Sequence, residues 1–130
     1  MNSSKDKIKS FTDLNAWKEA HKLVLMVYRI TKKIPSEELF CLTSQIRRAT
    51  ISITSNIAEG FSRNFNKEKA QFYTVALGSL TELQNQILAA RDIGYIPKED
   101  FTLMADQTIV VSKLINGLIK STRNNIIHNS

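Results

Sequence analysis

The sequence QIRRATISITSNIAEGFSR, residues 45–63, determines how the chain is expected to fold. In this stretch and just before it, apolar or small residues recur at steps of three and four, which places them on one face of a helix. These face residues are Leu39, Leu42, Ile46, Ala49, Ile53, Ile57 and Gly60. Polar residues run beside them at helical spacing, so the stretch predicts a core helix with a polar edge and a glycine stop.

The polar edge predicts a network of side chains that bind one another. An unpaired polar group next to a core costs about 1–3 kcal/mol, so these groups need partners. A structural network that fixes helix pairing is favoured over a ligand-binding or catalytic site, because buried polar groups more often specify packing. The expected members are Gln45, Arg47, Arg48, Ser52, Asn56, Glu59 and, from another helix, Glu82.

Three motifs resemble those of one known family. Q-x-R-R-A is met at residues 45–49, S-N-I-A-E-G at 55–60 and A-x-G-S-x-x-E-L at 76–83. With them the chain resembles the four-helix bundle protein family first noticed in intervening sequences of bacterial 23S ribosomal RNA genes. The resemblance implies an all-α, antiparallel up-down four-helix bundle, assembled into a homo-oligomeric, pentameric ring or barrel with no established reaction. The family also resembles the accessory barrel proteins of diversity-generating retroelements, which look basic and work with a reverse transcriptase and nucleic acid. This resemblance implies a nucleic-acid-processing protein as a further candidate partner.

Length and composition predict one soluble helical domain. The chain has 130 residues, 42% of them apolar, with four Gly and two Pro, enough for a single core. Cys41 is the lone cysteine, which fits a reducing compartment. The polar, basic N-terminus predicts no signal peptide, and the given sequence has no apolar run of about 20 residues that could span a membrane. We therefore expect a cytoplasmic protein with no membrane partner.

Capping and turn residues predict the boundaries of the helices. Asp13 is a candidate N-cap, Pro35 ends the first helix, and Gly94 ends the third, following the positional preferences of these residues. We expect a flexible basic arm over residues 1–12 and a single domain over 13–122. Its helices are predicted at about 14–33, 37–60, 67–93 and 98–122, and a polar tail at 123–130.

The third and fourth helices carry more apolar surface than one core requires. Between Ala70 and Ala90 the only charged residue is Glu82, whereas a surface helix is expected to be charged on its outer face. Gly78 further suggests a close helix crossing. Self-association is the favoured explanation, and a wide core face is the alternative. The predicted oligomer interface is Leu77, Leu88, Leu103, Val110 and Leu114.

The net charge of +6 is concentrated near the N-terminus, where residues 1–33 hold eight basic and three acidic residues. A basic stripe within about 60° on the first helix predicts contact with a polyanion, with a solvated face as the alternative. The chain is therefore predicted to be a non-catalytic nucleic-acid-binding oligomer, for RNA or DNA. A protein–protein interaction scaffold is the alternative. The predicted contacts are Lys18, Lys22, Arg29 and Lys33 of the stripe and Lys5, Lys7 and Lys9 of the arm.

Catalytic signatures are weak. The two histidines cannot supply the Glu-x-x-His pairs of a di-iron bundle, and the sequence has no phosphate-binding loop, zinc-ligand cluster or dinucleotide fingerprint. No cofactor or metal is expected. Arg123 and His128 resemble the R-x(4–6)-H signature of HEPN-type ribonucleases, in which Arg holds the phosphate and His transfers protons. This ribonuclease is a minor alternative.

Overall fold

The computed structural model describes the backbone of residues 7–129 and the side chains of residues 7–124. Within this range there are four α-helices and no strand, so the fold is all-α, as expected. The helices are α1 (Asn15–Thr31), α2 (Ser44–Ser62), α3 (Asn66–Ile93) and α4 (Lys98–Asn129). None of the helices in the described range is both long and apolar enough to cross a membrane.

Successive helices run antiparallel. Along α2 and α3, Gly60 lies against Tyr73, while Arg48 binds Glu82, so residue numbers fall on one helix as they rise on the other. Four pairs of helices pack together: α1 with α2, α2 with α3, α3 with α4, and α4 with α1. The chain is therefore an up-down four-helix bundle.

The core lies along the axis of the bundle and draws apolar side chains from every helix. Each fully buried Leu or Ile contributes about 1.5–3 kcal/mol relative to its exposed state, so this layer dominates the stability of the fold. Its largest members are Leu23, Val27 and Ile30 on α1, Ile46, Ile53 and Ile57 on α2, Leu80, Leu83 and Ile87 on α3, and Met104, Val111 and Ile115 on α4.

The N-terminal segment departs from the expected arm. Ser10 and Asp13 form a capping box around the 3₁₀ turn Phe11–Asp13, and Phe11 packs edge-on against Trp17 at 5.5 Å between ring centroids. Asp13 therefore caps this turn and not α1, whose N-cap is Leu14. The prediction of a flexible arm is wrong from Ser10 onward, because this turn satisfies its own N–H groups and packs on α1.

The α1–α2 connection also differs from the expected start of the second helix. A 3₁₀ turn, Ser36–Glu38, is followed by a π-helical turn, Leu39–Thr43, before α2 begins at Ser44. The Glu38 carboxylate accepts the Leu42 N–H at 3.3 Å. The wider π turn shifts the helical phase, and Leu39, expected on the buried face, is 43% exposed.

The remaining helix ends follow from glycine and from continued packing. Gly94 has a φ of +93° and ends α3, as predicted, because Gly adopts the left-handed conformation without a Cβ clash. Gly60, by contrast, does not end α2, which continues to Ser62. Helix α4 continues to Asn129, so residues 123–129 are helical and the predicted polar tail is wrong for them.

Candidate nucleic-acid interface

The basic face of α1 comprises Lys18, Lys22, Arg29 and Lys33, all of which are exposed. It points outward because the opposite side of α1 buries Leu23, Val27 and Ile30 in the core. Lys33 follows the last residue of α1, and its N–H donates to the Ile30 carbonyl, so it remains tied to the helix. The fold thus presents the four predicted cations on one side of the bundle.

Two of these cations are paired with carboxylates. Lys22 Nζ lies 2.9 Å from Glu19 Oε2, and Lys33 Nζ lies 2.5 Å from Asp100 Oδ2 on α4. The ammonium of Lys22, together with the Gln107 amide, lowers the pKa of Glu19, so this carboxylate stays charged. Exposed pairs of this kind contribute at most about 1 kcal/mol, and they reduce the charge that Lys22 and Lys33 offer to a ligand.

Lys18 and Arg29 make no salt bridge with any residue in the described range. Leu25 lies on the same side of α1 between them and is 57% exposed. Lys7 and Lys9 of the predicted arm are also exposed, whereas Lys5 lies outside the described residues. The unpaired positive charge of the face is therefore centred on Lys18 and Arg29.

The predicted polar network does not form as one unit. Arg48 is bound to Gln45 on its own helix and to Glu82 on α3, with 2.6 Å between Arg48 Nη2 and Glu82 Oε2. The side chains of Arg48 and Glu82 are 54% and 41% exposed. This cluster, which Gln86 joins by donating to Glu82, is a surface bridge between α2 and α3 and not a buried network.

Three other predicted members, Ser52, Asn56 and Glu59, lie in two further clusters along α2. Ser52 and Ser79 share a hydrogen bond of 2.8 Å between their hydroxyls, and Asn56 donates to the Ser52 carbonyl at 2.8 Å. Glu59, at the end of α2, pairs with Arg63 at 3.0 Å and is exposed. The polar edge therefore links α2 to α3 at two separate points, Arg48–Glu82 and Ser52–Ser79, while Glu59 pairs only within the end of α2.

Arg47 points away from all of these groups and toward α1. Its Nε–H donates to Thr31 Oγ1 at 3.0 Å, and its guanidinium lies over the Tyr28 ring, 4.8 Å from the centroid. Arg47 and Arg48 are adjacent and so differ by about 100° around the helix, which sends them to opposite neighbours. The prediction that both belong to one network is wrong.

The predicted interface residues divide into exposed and packed groups. Leu88, Leu103 and Val110 are 40%, 51% and 41% exposed. Leu77 and Leu114 are half-buried against the chain's own core, so the wide core face accounts for these two. Gly78 is exposed, and a Cβ there would meet nothing within 4 Å, so the expected close helix crossing is not found within the chain.

Arg123 is exposed near the C-terminal end of α4. With Lys67, Gln71 and Thr74 it lines an open cavity of about 430 Å³ between α3 and α4. The side chain of His128, the other half of the ribonuclease motif, lies outside the described residues. Among the described side chains no group of three His, Cys, Asp or Glu is arranged to hold a metal ion.

Comparison with known proteins supports the family resemblance. A family model described as 23S rRNA-intervening sequence protein matches residues 12–117. Among solved structures, a protein of unknown function from the S23 ribosomal protein family of Bacteroides thetaiotaomicron superposes with a TM-score of 0.75. It is 20% identical, over 81% of this chain and 95% of that chain, a level at which the likeness concerns the fold alone. The search of curated proteins finds no match.

Proposed function

The chain belongs to the 23S rRNA-intervening sequence protein family, and from this premise we propose that it is a non-catalytic homo-oligomer that binds nucleic acid through the basic face of α1. Each subunit contributes a small number of phosphate contacts. In an oligomer the basic face of α1 is present once in each subunit, so contacts that are individually weak combine into a higher overall affinity. The proposed ligand is RNA or DNA.

The observation that carries this proposal is the pair Lys18 and Arg29, exposed on one side of α1 and without a carboxylate partner among the described residues. Lys33, by contrast, is bound to Asp100. Unpaired cations on one face raise the local potential and attract phosphates. Lys22 adds its positive charge to the face when a phosphate competes with Glu19 for its ammonium group.

Self-association is supported by the exposed apolar side chains on α3 and α4. Leu88, Leu103 and Val110 each expose two fifths or more of their surface. Covering them with a second copy removes this area from water, at about 25 cal/mol per Å². We propose that these three residues form the subunit contact, in agreement with the pentameric ring that the sequence resemblance implies.

A salt titration tests nucleic-acid binding. Affinity for a fluorescent single-stranded RNA is measured by anisotropy between about 50 and 200 mM salt for the wild type and for Lys18→Gln/Arg29→Gln. Each phosphate contact contributes about 0.7 to the slope of log K against log salt. The double variant is therefore expected to bind more weakly at low salt, with a slope reduced by about 1.4 per subunit engaged.

The matched control is Lys113→Gln/Lys120→Gln, which removes two exposed cations of α4 and lowers the net charge equally. It should retain most of the wild-type affinity and slope. Absence of wild-type binding at the lowest salt, or binding that salt does not weaken, would reject the proposal. Equal losses in the two double variants would show that overall charge, and not the basic face, is responsible.

A further inference from the structure

A cavity of about 240 Å³ lies where α1 ends and the chain turns into α2. It is separate from the unpaired centre of the basic face, Lys18 and Arg29. Three hydroxyl side chains and two cations line it, together with Ile34, Pro35 and Leu39. The polar lining residues are Thr31, Lys32, Ser36, Thr43 and Arg47.

Arg47 is held in place at this cavity by contacts with α1, and the two Nη groups of its guanidinium are free of partners within the described range. Its Nε–H donates to Thr31 Oγ1, and Thr31 donates in turn to the Val27 carbonyl at 2.7 Å. Stacking on Tyr28 fixes the plane of the guanidinium. The structure records no acceptor for the two Nη groups among the described residues, so Arg47 retains its paired donors for a ligand. A planar guanidinium presented in this way matches the oxygens of a phosphate.

Thr43 provides a second and independent indication. It is one of six buried threonines, with 3% of its surface exposed. The other five hydroxyls each donate to a backbone carbonyl one turn earlier. Thr43 has no such bond, nor any other hydrogen bond to the described residues, and it lines the cavity. The hydroxyl oxygen itself is not fully enclosed, so it is reached from the cavity and is available to donate to a ligand oxygen there.

The charge of the lining is purely positive. Lys32 and Arg47 are its ionisable members, and no carboxylate is among the lining residues in the described range. The nearby Glu38 carboxylate is occupied elsewhere, since it accepts the Leu42 N–H and the Tyr95 hydroxyl. Glu37 is the remaining acidic neighbour in the turn, and it is exposed. The cavity therefore favours an anion.

We propose that this cavity is a binding site for a phosphate monoester, with the Nη groups of Arg47, the Lys32 ammonium and the Thr43 hydroxyl as donors. The cavity volume of about 240 Å³ is many times the roughly 10–15 Å³ that one water needs on the same measure, so it has room for a phosphate group. The monoester is carried either by a small sugar phosphate or by the phosphorylated end of a nucleic-acid strand. The site goes beyond the proposed function and does not depend on it.

Calorimetry or amide chemical shifts at low ionic strength test the site with inorganic phosphate, ribose 5-phosphate and ribose. Wild-type protein is expected to bind both phosphates but not ribose. Arg47→Leu should weaken binding about tenfold or more, the scale of a lost charged hydrogen bond, and Thr43→Val should weaken it less. The matched control is Thr50→Val, in which the lost hydroxyl was already bound to the Ile46 carbonyl, and its phosphate affinity should be unchanged.

A further pair of probes distinguishes the sources of the phosphate. A 5′-phosphorylated and a 5′-hydroxyl oligonucleotide are compared in the Lys18→Gln/Arg29→Gln background, in which the basic face is weakened. If the protein prefers the phosphorylated strand and Arg47→Leu abolishes this preference, the site binds the phosphorylated end of a nucleic-acid strand. If the protein binds ribose 5-phosphate but shows no preference for the phosphorylated strand, the ligand of the site is a small sugar phosphate. Either result supports the site even if the wild type shows no salt-dependent RNA binding.

The proposal is overturned if wild-type protein binds neither phosphate at millimolar concentration. It is also overturned if affinity is unchanged in Thr43→Val and in Lys32→Gln, an exposed position whose substitution leaves the core intact. These two variants decide the matter if Arg47→Leu fails to fold because its contacts with Thr31 and Tyr28 are lost.

Discussion

The contact between α2 and α3 at Gly60 yields a sharp stability prediction, through the substitution Gly60→Ala. Gly60 is buried, and a Cβ there would lie 2.6 Å from Tyr73 Cε1 and 3.1 Å from Phe72 Cβ. The Tyr73 ring is 3% exposed and so has little space into which it can move. The Phe72 Cβ is attached directly to the backbone and moves only with α3. The added methyl group therefore forces the two helices apart.

The size of the effect is set by two opposing contributions. Overpacking a well-filled core costs about 1–3 kcal/mol, and the short distances place this site in the upper half of that range. Replacing Gly with Ala in a helix interior recovers up to about 1 kcal/mol, less near a helix end such as this one. We expect a net destabilisation of about 1–2 kcal/mol.

Gly78→Ala is the matched control, because it makes the same change on α3 at an exposed position where a Cβ meets nothing within 4 Å. It should stabilise the chain by about 0.5–1 kcal/mol. Thermal and urea unfolding followed by circular dichroism measure both variants. The two should differ by about 2 kcal/mol, or about 8 °C in Tm at roughly 4 °C per kcal/mol.

Two results would refute this reasoning. If Gly60→Ala is as stable as the wild type, α2 and α3 are not in close contact at Gly60. If Gly78→Ala is destabilised as much as Gly60→Ala, the α3 surface is covered in solution, which would point to another subunit packed at Gly78.

Three further predictions concern the surface. Arg48→Ala should lower the free energy of unfolding by at most about 1 kcal/mol, because its pair with Glu82 is largely exposed, and chemical unfolding that gives a loss above 2 kcal/mol would contradict this. Backbone N–H groups of Lys9 and Ser10 hold the pKa of Asp13 below its ordinary value. Ionised Asp13 therefore stabilises the folded chain at pH values above the pKa that Asp13 has in the unfolded chain. This stabilisation is lost as the pH falls through the lower pKa of Asp13 in the folded chain. An NMR titration that gives an ordinary pKa for Asp13 would contradict the capping box. Leu103→Glu/Val110→Glu should reduce the particle mass in light scattering, and an unchanged mass would exclude these residues from the subunit contact.

Much of the fold could be predicted because helical periodicity is a local property. The spacing of Ile46, Ile53 and Ile57 identified a buried face, and all three are fully buried. Gly94 could be assigned as a helix end because its conformational freedom is intrinsic. The start of α2 could not be predicted, because the π turn depends on the Glu38 side chain binding the Leu42 N–H, a contact that helical spacing does not encode.

The candidate sites were less predictable, because they depend on which neighbour each side chain meets. Spacing placed Lys22 and Lys33 with Lys18 and Arg29, but it could not show that Asp100, 67 residues away, pairs with Lys33. Thr43 and Lys32 were not singled out at all, since a lone threonine and a surface lysine give no signal in a sequence. Only the absent hydrogen bond of Thr43 marks it.

The sequence by itself determined that the chain forms four helices, that its family motifs imply a bundle, and that its positive charge is concentrated in residues 1–33. These properties follow from the order of residues along one helix and need no knowledge of its neighbours. Tertiary structure alone decided that Arg47 faces α1 while Arg48 faces α3, that Gly60 and not Gly78 is the point of close approach, and that a cationic cavity lies between α1 and α2. The physical reason is that contacts between helices depend on their relative rotation and axial shift, which only packing of the whole core fixes.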